Sequence, residues 1–300
     1  MPLLVVGSIA FDSIETQGGT VEDCLGGSAT FFSLAASLFG DVRLVGVVGD
    51  DFPAACRKLL EERRVDTSGL VIRPGGKTFR WRGRYSADMA SRETLEVHLN
   101  VLGDFQPEVP AAFRDSRFVF LGNSSPITQR TVLEQVPERK LVVADTMDLW
   151  IETQHDELLA LLKEIDGLVL NDQEARLLSD DHNLVRAGQH ILRLGPKFVI
   201  IKKGEHGAMF FSREGRFVMP AYPTAQVVDP TGAGDSFAGG MMGFLAASAR
   251  VDPATLKRAL AYGTVTASVT VEEFGLGGLQ RAERAEIDAR FEEYRAMISF

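Results

Sequence analysis

Seven residues, Asp229-Pro230-Thr231-Gly232-Ala233-Gly234-Asp235, join an apolar run to an apolar helix through a glycine loop that ends in a carboxylate. Residues 226–228 read as the end of a strand, and 236–245 read as a buried helix whose glycines permit close packing. The loop therefore lies at a helix N-terminus, where the first amides lack intrahelical partners and the helix dipole is positive. An anion can bind there against Gly232, Ala233 and Gly234 without side-chain obstruction. Asp235 repels such an anion unless it caps the helix or accepts a proton from a hydroxyl that attacks phosphorus. A plain glycine turn followed by an ordinary first-turn Asp accounts for the short string equally well.

The elements that must position this loop follow from alternating patterns. Apolar, β-rich runs at 3–7, 42–48, 117–121, 141–144, 168–170 and 198–201 alternate with helical patterns at 28–39, 53–63, 128–135, 156–165 and 184–194. Helices at 253–271 and 282–298 close the chain. Strands that are almost continuously hydrophobic and separated by helices indicate a parallel sheet covered on both faces. Ligands of such sheets bind beyond the carboxyl ends of the strands. Asp12, Asn123, Asn171, Lys202 and the 229–235 loop all fall just past strand ends and are expected to converge.

Gly26-Gly27 precedes Ser28, the expected N-cap of a helix that closes at Gly40. Asn171 and Glu174 have the spacing of a capping box. Lys202 and Lys203 point to opposite faces by strand alternation, so at most one faces a site. Two stretches, about 13–21 and 71–101, break the βα rhythm. In the second, Phe79, Trp81 and Tyr85 share one face of a strand and Arg80, Arg82 and Arg84 share the other. The arginine face suits either an acidic or phosphorylated ligand or a charged edge that blocks aggregation.

The Asp229–Asp235 segment resembles the C-terminal signature of the ribokinase-like (phosphofructokinase-B-type) carbohydrate and nucleoside kinases, D-[TP]-[TN]-G-A-G-D, at all seven positions. The resemblance extends through Gly26-Gly27, Asn171-x-x-Glu174 and Lys202-Lys203-Gly204-x-x-Gly207 over nearly the whole chain. It implies a single domain, 1–300, with a three-layer αβα fold, a mostly parallel central sheet and a small β-sheet lid formed by the two irregular stretches. It further implies that ATP is the donor, that Asp235 is the base, and that Gly232, Ala233 and Gly234 stabilise the transferring phosphoryl group. Asn171 and Glu174 would hold the triphosphate and hydrated Mg²⁺, while Lys202, Gly204, Gly207 and Thr231 would line the nucleotide, with adenine near Gly263, Thr264 and Ala267. Asp12, Gly26, Gly27 and Asn123 would meet the acceptor. Asp229 and Thr231, beside Glu273-Phe274-Gly275, would form the K⁺ site that some relatives have. One departure stands out: Phe31 occupies a position where many relatives have Asn, which implies a different hydroxyl pattern or a more apolar acceptor.

The expected activity is phosphorylation of a primary hydroxyl of a sugar. One rival is a nucleoside kinase acting on a ribose 5′-hydroxyl, with Phe31 or Trp81 stacked on the base; another is a catalytically silent ligand-binding regulator. Exposed lid edges could pair two copies into a homodimer. The 300 residues, 45% hydrophobic and 24% charged, describe an ordinary globule, and the net charge of −9 argues against nucleic acid or an anionic membrane as partner. Two cysteines, no basic-flanked leader and no uncharged apolar run near the ~20 residues of a membrane span are those of a cytoplasmic protein. Gly76-Lys77-Thr78 lacks the first glycine of a P-loop, Gly232-x-Gly234 lacks the third glycine of a dinucleotide fingerprint, and the five histidines show no metal-ligand spacing.

Overall fold

The computed structural model describes residues 1–89 and 91–299. Among the described residues thirteen strands form two sheets. In chain order they are β1 (Leu3–Val6), β2 (Ala10–Thr16), β3 (Gly19–Gly26), β4 (Val42–Gly49), β5 (Val65–Arg73), β6 (Phe79–Tyr85) and β7 (Arg92–His98). They continue with β8 (Phe118–Leu121), β9 (Leu141–Asp145), β10 (Gly167–Asn171), β11 (Phe198–Lys202), β12 (Ala208–Ser212) and β13 (Gly215–Met219). The nine-stranded sheet has the order β13-β12-β11-β10-β9-β8-β1-β4-β5 and is parallel from β11 to β5, with β12 and β13 antiparallel at one end.

Alternation along these strands divides the interior into two cores. Leu3, Val5, Phe118, Phe120, Leu141 and Val143 face α1 (Ser28–Ser37), α8 (Ala233–Ser248), α9 (Pro253–Val271) and α11 (Arg284–Ile298). Leu4, Val6, Val119, Leu121, Val142 and Ala144 face α3 (Pro126–Gln135), α5 (His155–Leu162), α6 (Asp172–Ser179) and α7 (Leu184–Leu194). The shorter α2 (Ala54–Glu62), α4 (Asp148–Thr153) and α10 (Gly277–Arg281) complete the helices. Burial on both faces is why the strands read as unbroken apolar runs. Among the described residues no helix is long and apolar enough to cross a membrane.

The second sheet, β3-β2-β6-β7, is the lid. Its strands span 10–26 and 79–98, so the first segment is longer than 13–21, and residues 71–73 belong to β5 of the main sheet. β6 is an interior strand of the lid, and its arginines are therefore not a charged edge. Arg80 pairs with Asp23 and with Asp51 (3.1 Å), while Arg82 and Arg84 reach Glu15 at 3.1 and 2.8 Å. This face is the outer one, because Asp12 on β2 shares its face with Trp81 and not with the arginines.

Two local expectations differ from the structure. Residues 226–228 form no strand: the amides of Val228 and Asp229 both donate to Val271 O at the end of α9 (2.8 and 3.2 Å), which ties this segment to a helix rather than to a sheet. Ser28 is the first residue of α1 and not its cap. The cap position belongs to Gly27, and the Ser28 hydroxyl accepts the Ser8 amide instead (3.2 Å).

Glycines set how closely α8 approaches its neighbours. A Cβ at Gly239 would lie 2.4 Å from Phe32 O and one at Gly243 would lie 2.8 Å from Ala36 O, both on α1. Gly239→Leu should therefore force α1 and α8 apart and cost about 3 kcal/mol in urea unfolding. An unchanged midpoint would show that this contact does not set the helix spacing.

Candidate active site

The carboxyl ends of β1, β8, β9, β10 and β11, the start of α8 and the inner face of the lid enclose one cleft. At its centre α8 begins at Gly232, whose φ of 73° is left-handed and whose missing Cβ would overlap the Phe31 ring at 2.3 Å. Phe31 is 1% exposed, so it supports the loop from beneath and presents no face to a ligand. Ala233 N donates to Pro230 O and Ser236 N to Gly232 O, whereas the Gly234 and Asp235 amides find no main-chain acceptor among the described residues. The Gly234 N–H is thus an orphan donor of the helix start, while the Asp235 N–H turns to its own carboxylate.

The loop is braced from behind by Asp229, which is fully buried. One carboxylate oxygen accepts the Thr231 amide and the other accepts the Gly275 amide, each at 2.9 Å. A K⁺ at Asp229 and Thr231 would have to share these occupied oxygens. Lys202 completes the loop: a Cβ on Gly234 would lie 2.5 Å from its Nζ, so the ammonium rests against the glycine backbone. Of the two lysines, Lys202 is the one that faces this cleft.

Around this cation stand several carboxyls raised above their ordinary range. Burial raises Asp235, with Lys202 and then Arg92 acting against it. Glu174 is raised by burial and lowered by Lys202 and by the Asn171 amide. The capping box is formed: Glu174 accepts from Asn171 N (2.7 Å) and Asn171 Oδ1 accepts from Glu174 N (2.8 Å). Burial pushes Asp12 up to about 7, with the Gly27 amide opposing it and Asp229 and Asp235 adding to it. Its carboxylate lies where a Cβ of Gly26 would be, 1.9 Å from Oδ2, so Asp12, Gly26 and Gly27 do come together.

Other expected positions are engaged in packing. Asn123 Oδ1 accepts from Trp150 Nε1 (2.9 Å), and its Nδ2 faces Met147 Sδ (3.1 Å). Gly204 and Gly207 form the tight turn from β11 to β12, closed by Lys203 N donating to Gly207 O (2.7 Å). Gly263 lets α9 approach α8, since a Cβ there would meet Phe237 O at 2.6 Å; Ala267 is half-buried on the same helix. The Gly76–Thr78 decoy is a turn whose Thr78 hydroxyl accepts the Gly49 amide (3.1 Å).

Three residues of the cleft were not read from the sequence as site residues, although Tyr85 was placed on the aromatic face of its strand. Asp145, at the end of β9, is buried with Oδ1 lacking any partner, and burial together with Asp235 holds it well above the carboxylate range. It occupies the same post-strand position as Asn171, a signal that could have found it. Tyr85 reaches from the lid to place its hydroxyl 3.1 Å from Thr231 Oγ1. Arg92, also on the lid, carries the charge felt by Asp12, Asp235 and Glu174. Among the described residues no three His, Cys, Asp or Glu side chains form a metal cage. A cavity of about 840 Å³ lies at the opposite, amino-terminal edge of the strands beside Met1, Phe39 and Arg64, away from these groups.

The pfkB family carbohydrate kinase model matches residues 3–282. Over 282 residues, 92% of this chain and 98% of the relative, the sequence is 27% identical to the cytidine kinase of Thermococcus kodakarensis. The fold is similar to that of an E. coli protein assigned as a ribokinase II and solved with ATP and Mg²⁺ (TM-score 0.81, 22% identity, 97% and 99% of the two chains). It is also similar to a Burkholderia thailandensis nucleoside kinase solved with inosine (TM-score 0.79, 23% identity, 98% and 99% covered). A helix N-terminus with a free amide, a lysine and an aspartate at one point, on a chain that the family model matches over residues 3–282, means that the protein belongs to the pfkB family of carbohydrate kinases, phosphotransferases with an alcohol group as acceptor.

Proposed function

We propose that this kinase transfers the γ-phosphoryl group of ATP to a primary hydroxyl of a sugar. The observation that carries the reading is the junction of Asp235, the free Gly234 amide and the Lys202 ammonium at the start of α8. Asp235 takes the proton of the acceptor hydroxyl as its oxygen attacks the γ-phosphorus in line and the bond to the ADP oxygen breaks. The Gly234 amide and Lys202 oppose the charge spread over the phosphoryl oxygens. Burial of Asp235 raises its basicity above that of an ordinary carboxylate, which suits a general base.

The donor set fits Mg²⁺ held through water. Asp145 offers a buried oxygen with no protein partner and Glu174 stands nearby, and Mg²⁺ needs only one or two carboxylates because it keeps several waters. Held there, Mg²⁺ would supply neutralisation of the triphosphate charge. Asp12, resting on Gly26, is placed to accept hydrogen bonds from acceptor hydroxyls.

Nucleoside acceptors are the second reading, supported by the relatives that act on or bind them. Against it stand the two aromatic platforms foreseen for a base. Phe31 is covered by Gly232, and Trp81 packs on Gly83 while the Arg92 guanidinium lies over its ring at 5.5 Å. A sugar needs no such platform.

Asp235→Asn should lower kcat by about 10³-fold or more with the KM for ATP nearly unchanged, measured as ADP release across pentoses, hexoses, their monophosphates and nucleosides. Turnover near that of the wild type would remove Asp235 from the role of base. A second expectation concerns Asp12. Because its folded pKa is raised, its ionisation opposes folding increasingly as pH climbs from about 4 to about 7, a cost of at most about 4 kcal/mol. Asp12→Asn should raise Tm at pH 8, with the gain fading near pH 4, while the KM for the acceptor rises at least tenfold. A Tm gain independent of pH would show that Asp12 is not the group responsible.

A further inference from the structure

On its first excursion into the lid the chain leaves and re-enters the main body at two links. Residues 7–9 lead from β1 to β2, and Gly27 leads from β3 back to α1. A serine stands at each link, and the two grip each other. Ser8 N donates to Ser28 Oγ (3.2 Å), Ser28 N donates to Ser8 Oγ (3.0 Å), and the hydroxyls lie 3.1 Å apart. Ala29 N adds a bond to Ser8 O (3.0 Å). Neither serine amide has a main-chain acceptor among the described residues, because Ser8 lies past the end of β1 and Ser28 opens a helix. Both residues are buried, so a lost partner is not freely replaced by water.

The pair sits where the winding of the sheet reverses. From β1 the chain adds β4 and β5 on one side and β8 to β11 on the other, so β1 and β8 flank the crevice in which such sheets bind ligands. The Ser28 hydroxyl fills the floor of that crevice. A Cβ on Gly7, after β1, would lie 2.8 Å from it, and one on Gly122, after β8, would lie 3.1 Å from it. Gly27, whose φ of 92° suits only glycine, rests on the other link: a Cβ there would meet Ser8 O at 2.6 Å and Ala10 N at 2.8 Å. Its amide hydrogen-bonds to the Asp12 carboxyl and opposes the effect of burial there more than any other group. The other charged or titratable groups that face Asp12 are Asp229 and Asp235 of the anion loop, Arg92 of the lid and the Cys24 thiol of β3.

We propose that Ser8 and Ser28 are positioning residues for the acceptor: their reciprocal pair locks the two lid links together and so holds the Gly27 amide on Asp12. They act through Asp12 and not on the reacting atoms. Without the pair the Gly27 peptide is free to turn with the start of α1, and Asp12 loses both its aim and the donor that steadies its charge. Asn171, Glu174 and Lys202, at the nucleotide end, have no hydrogen bond to either serine among the described residues. The proposal rests on the assignment of Asp12 to the acceptor hydroxyls.

The test compares initial rates of Ser8→Ala, Ser28→Ala, Asp12→Asn and the Asp12→Asn/Ser28→Ala double variant with the wild type. Ser37→Ala is the control, since Ser37 is a buried serine of α1 whose hydroxyl donates to Leu34 O within its own helix (2.7 Å). Expected for either single serine variant is a KM for the acceptor raised about fivefold, with kcat and the KM for ATP within about twofold. Ser28→Ala should add nothing to that KM in the Asp12→Asn background, and Ser37→Ala should behave as wild type. A second readout needs no turnover. Loss of the Gly27 donor pushes the Asp12 carboxyl further up, so its ionisation opposes folding more at pH 8. The Tm gain from Asp12→Asn should therefore be larger at pH 8 in the Ser28→Ala background than in the wild type, and equal in both at pH 4; Ser8→Ala gives the same comparison from the other link. An unchanged KM for the acceptor, effects that multiply in the double variant, or kcat and both KM values drifting together with Tm would overturn the proposal. So would a Tm gain at pH 8 that is the same in both backgrounds. A wild type that turns over no acceptor would instead overturn the sugar-kinase reading, and the Tm comparison would still decide whether the pair holds Asp12.

Discussion

The contact between the Lys202 ammonium and the Gly234 backbone holds the cleft together electrostatically. It joins the end of β11 to the start of α8, and its charge is the largest influence opposing burial at both Asp235 and Glu174. It also offsets Asp145, which has no hydrogen-bond partner at Oδ1. Ionised carboxyls enclosed in protein are costly unless a counter-charge is fixed nearby. A flexible loop lysine would serve poorly, since it would swing into water. Lys202 instead ends a strand paired on both sides, with β10 and with β12, and only a glycine at 234 lets its head group come so close.

That contact depends on the height at which α8 sits over the sheet. Gly239 and Gly243 let the helix lie directly on α1, and Phe31 of α1 fills the space below Gly232. The anion loop is thus levelled by the same packing that closes one of the two cores. Phe31 belongs to that support, and a smaller polar residue there would leave a void beneath the loop. Its departure from the family pattern bears on the shape of the loop more directly than on the acceptor.

Much of this was legible in the sequence because it is local. The anion loop is contiguous, α9 was read as 253–271, the bounds it has, and the strands were found because burial on both faces makes them unbroken apolar runs. Features that depend on a distant partner were not legible. Residues 226–228 have strand-like composition but meet only the end of α9. Arg80, Arg82 and Arg84 read as a free cationic face because their partners, Asp23, Asp51 and Glu15, come from elsewhere in the chain. Arg92 turns inward only because of a bulge, and no periodicity within 92–98 reveals which residue is extra until the strand is paired.

The closed cleft has an excess of acid that constrains what can enter it. Asp12, Asp145, Glu174 and Asp235 face two cations, Lys202 and Arg92, and none of the four is in ion-pair contact among the described residues. A free triphosphate would add negative charge to this surplus and be repelled. The surplus can be relieved in two ways: the carboxyls take up protons, or the anion arrives with divalent charge. Asp12 at about 7 shows that the first is within reach near neutrality, but protonation of its neighbour Asp235 would remove the base. The second leaves Asp235 ionised. An acid-rich wall around a cationic loop therefore selects for a metal-bound nucleotide by electrostatics, with the carboxyls nearest the nucleotide serving the ion and the one nearest the acceptor hydroxyl left free to take its proton.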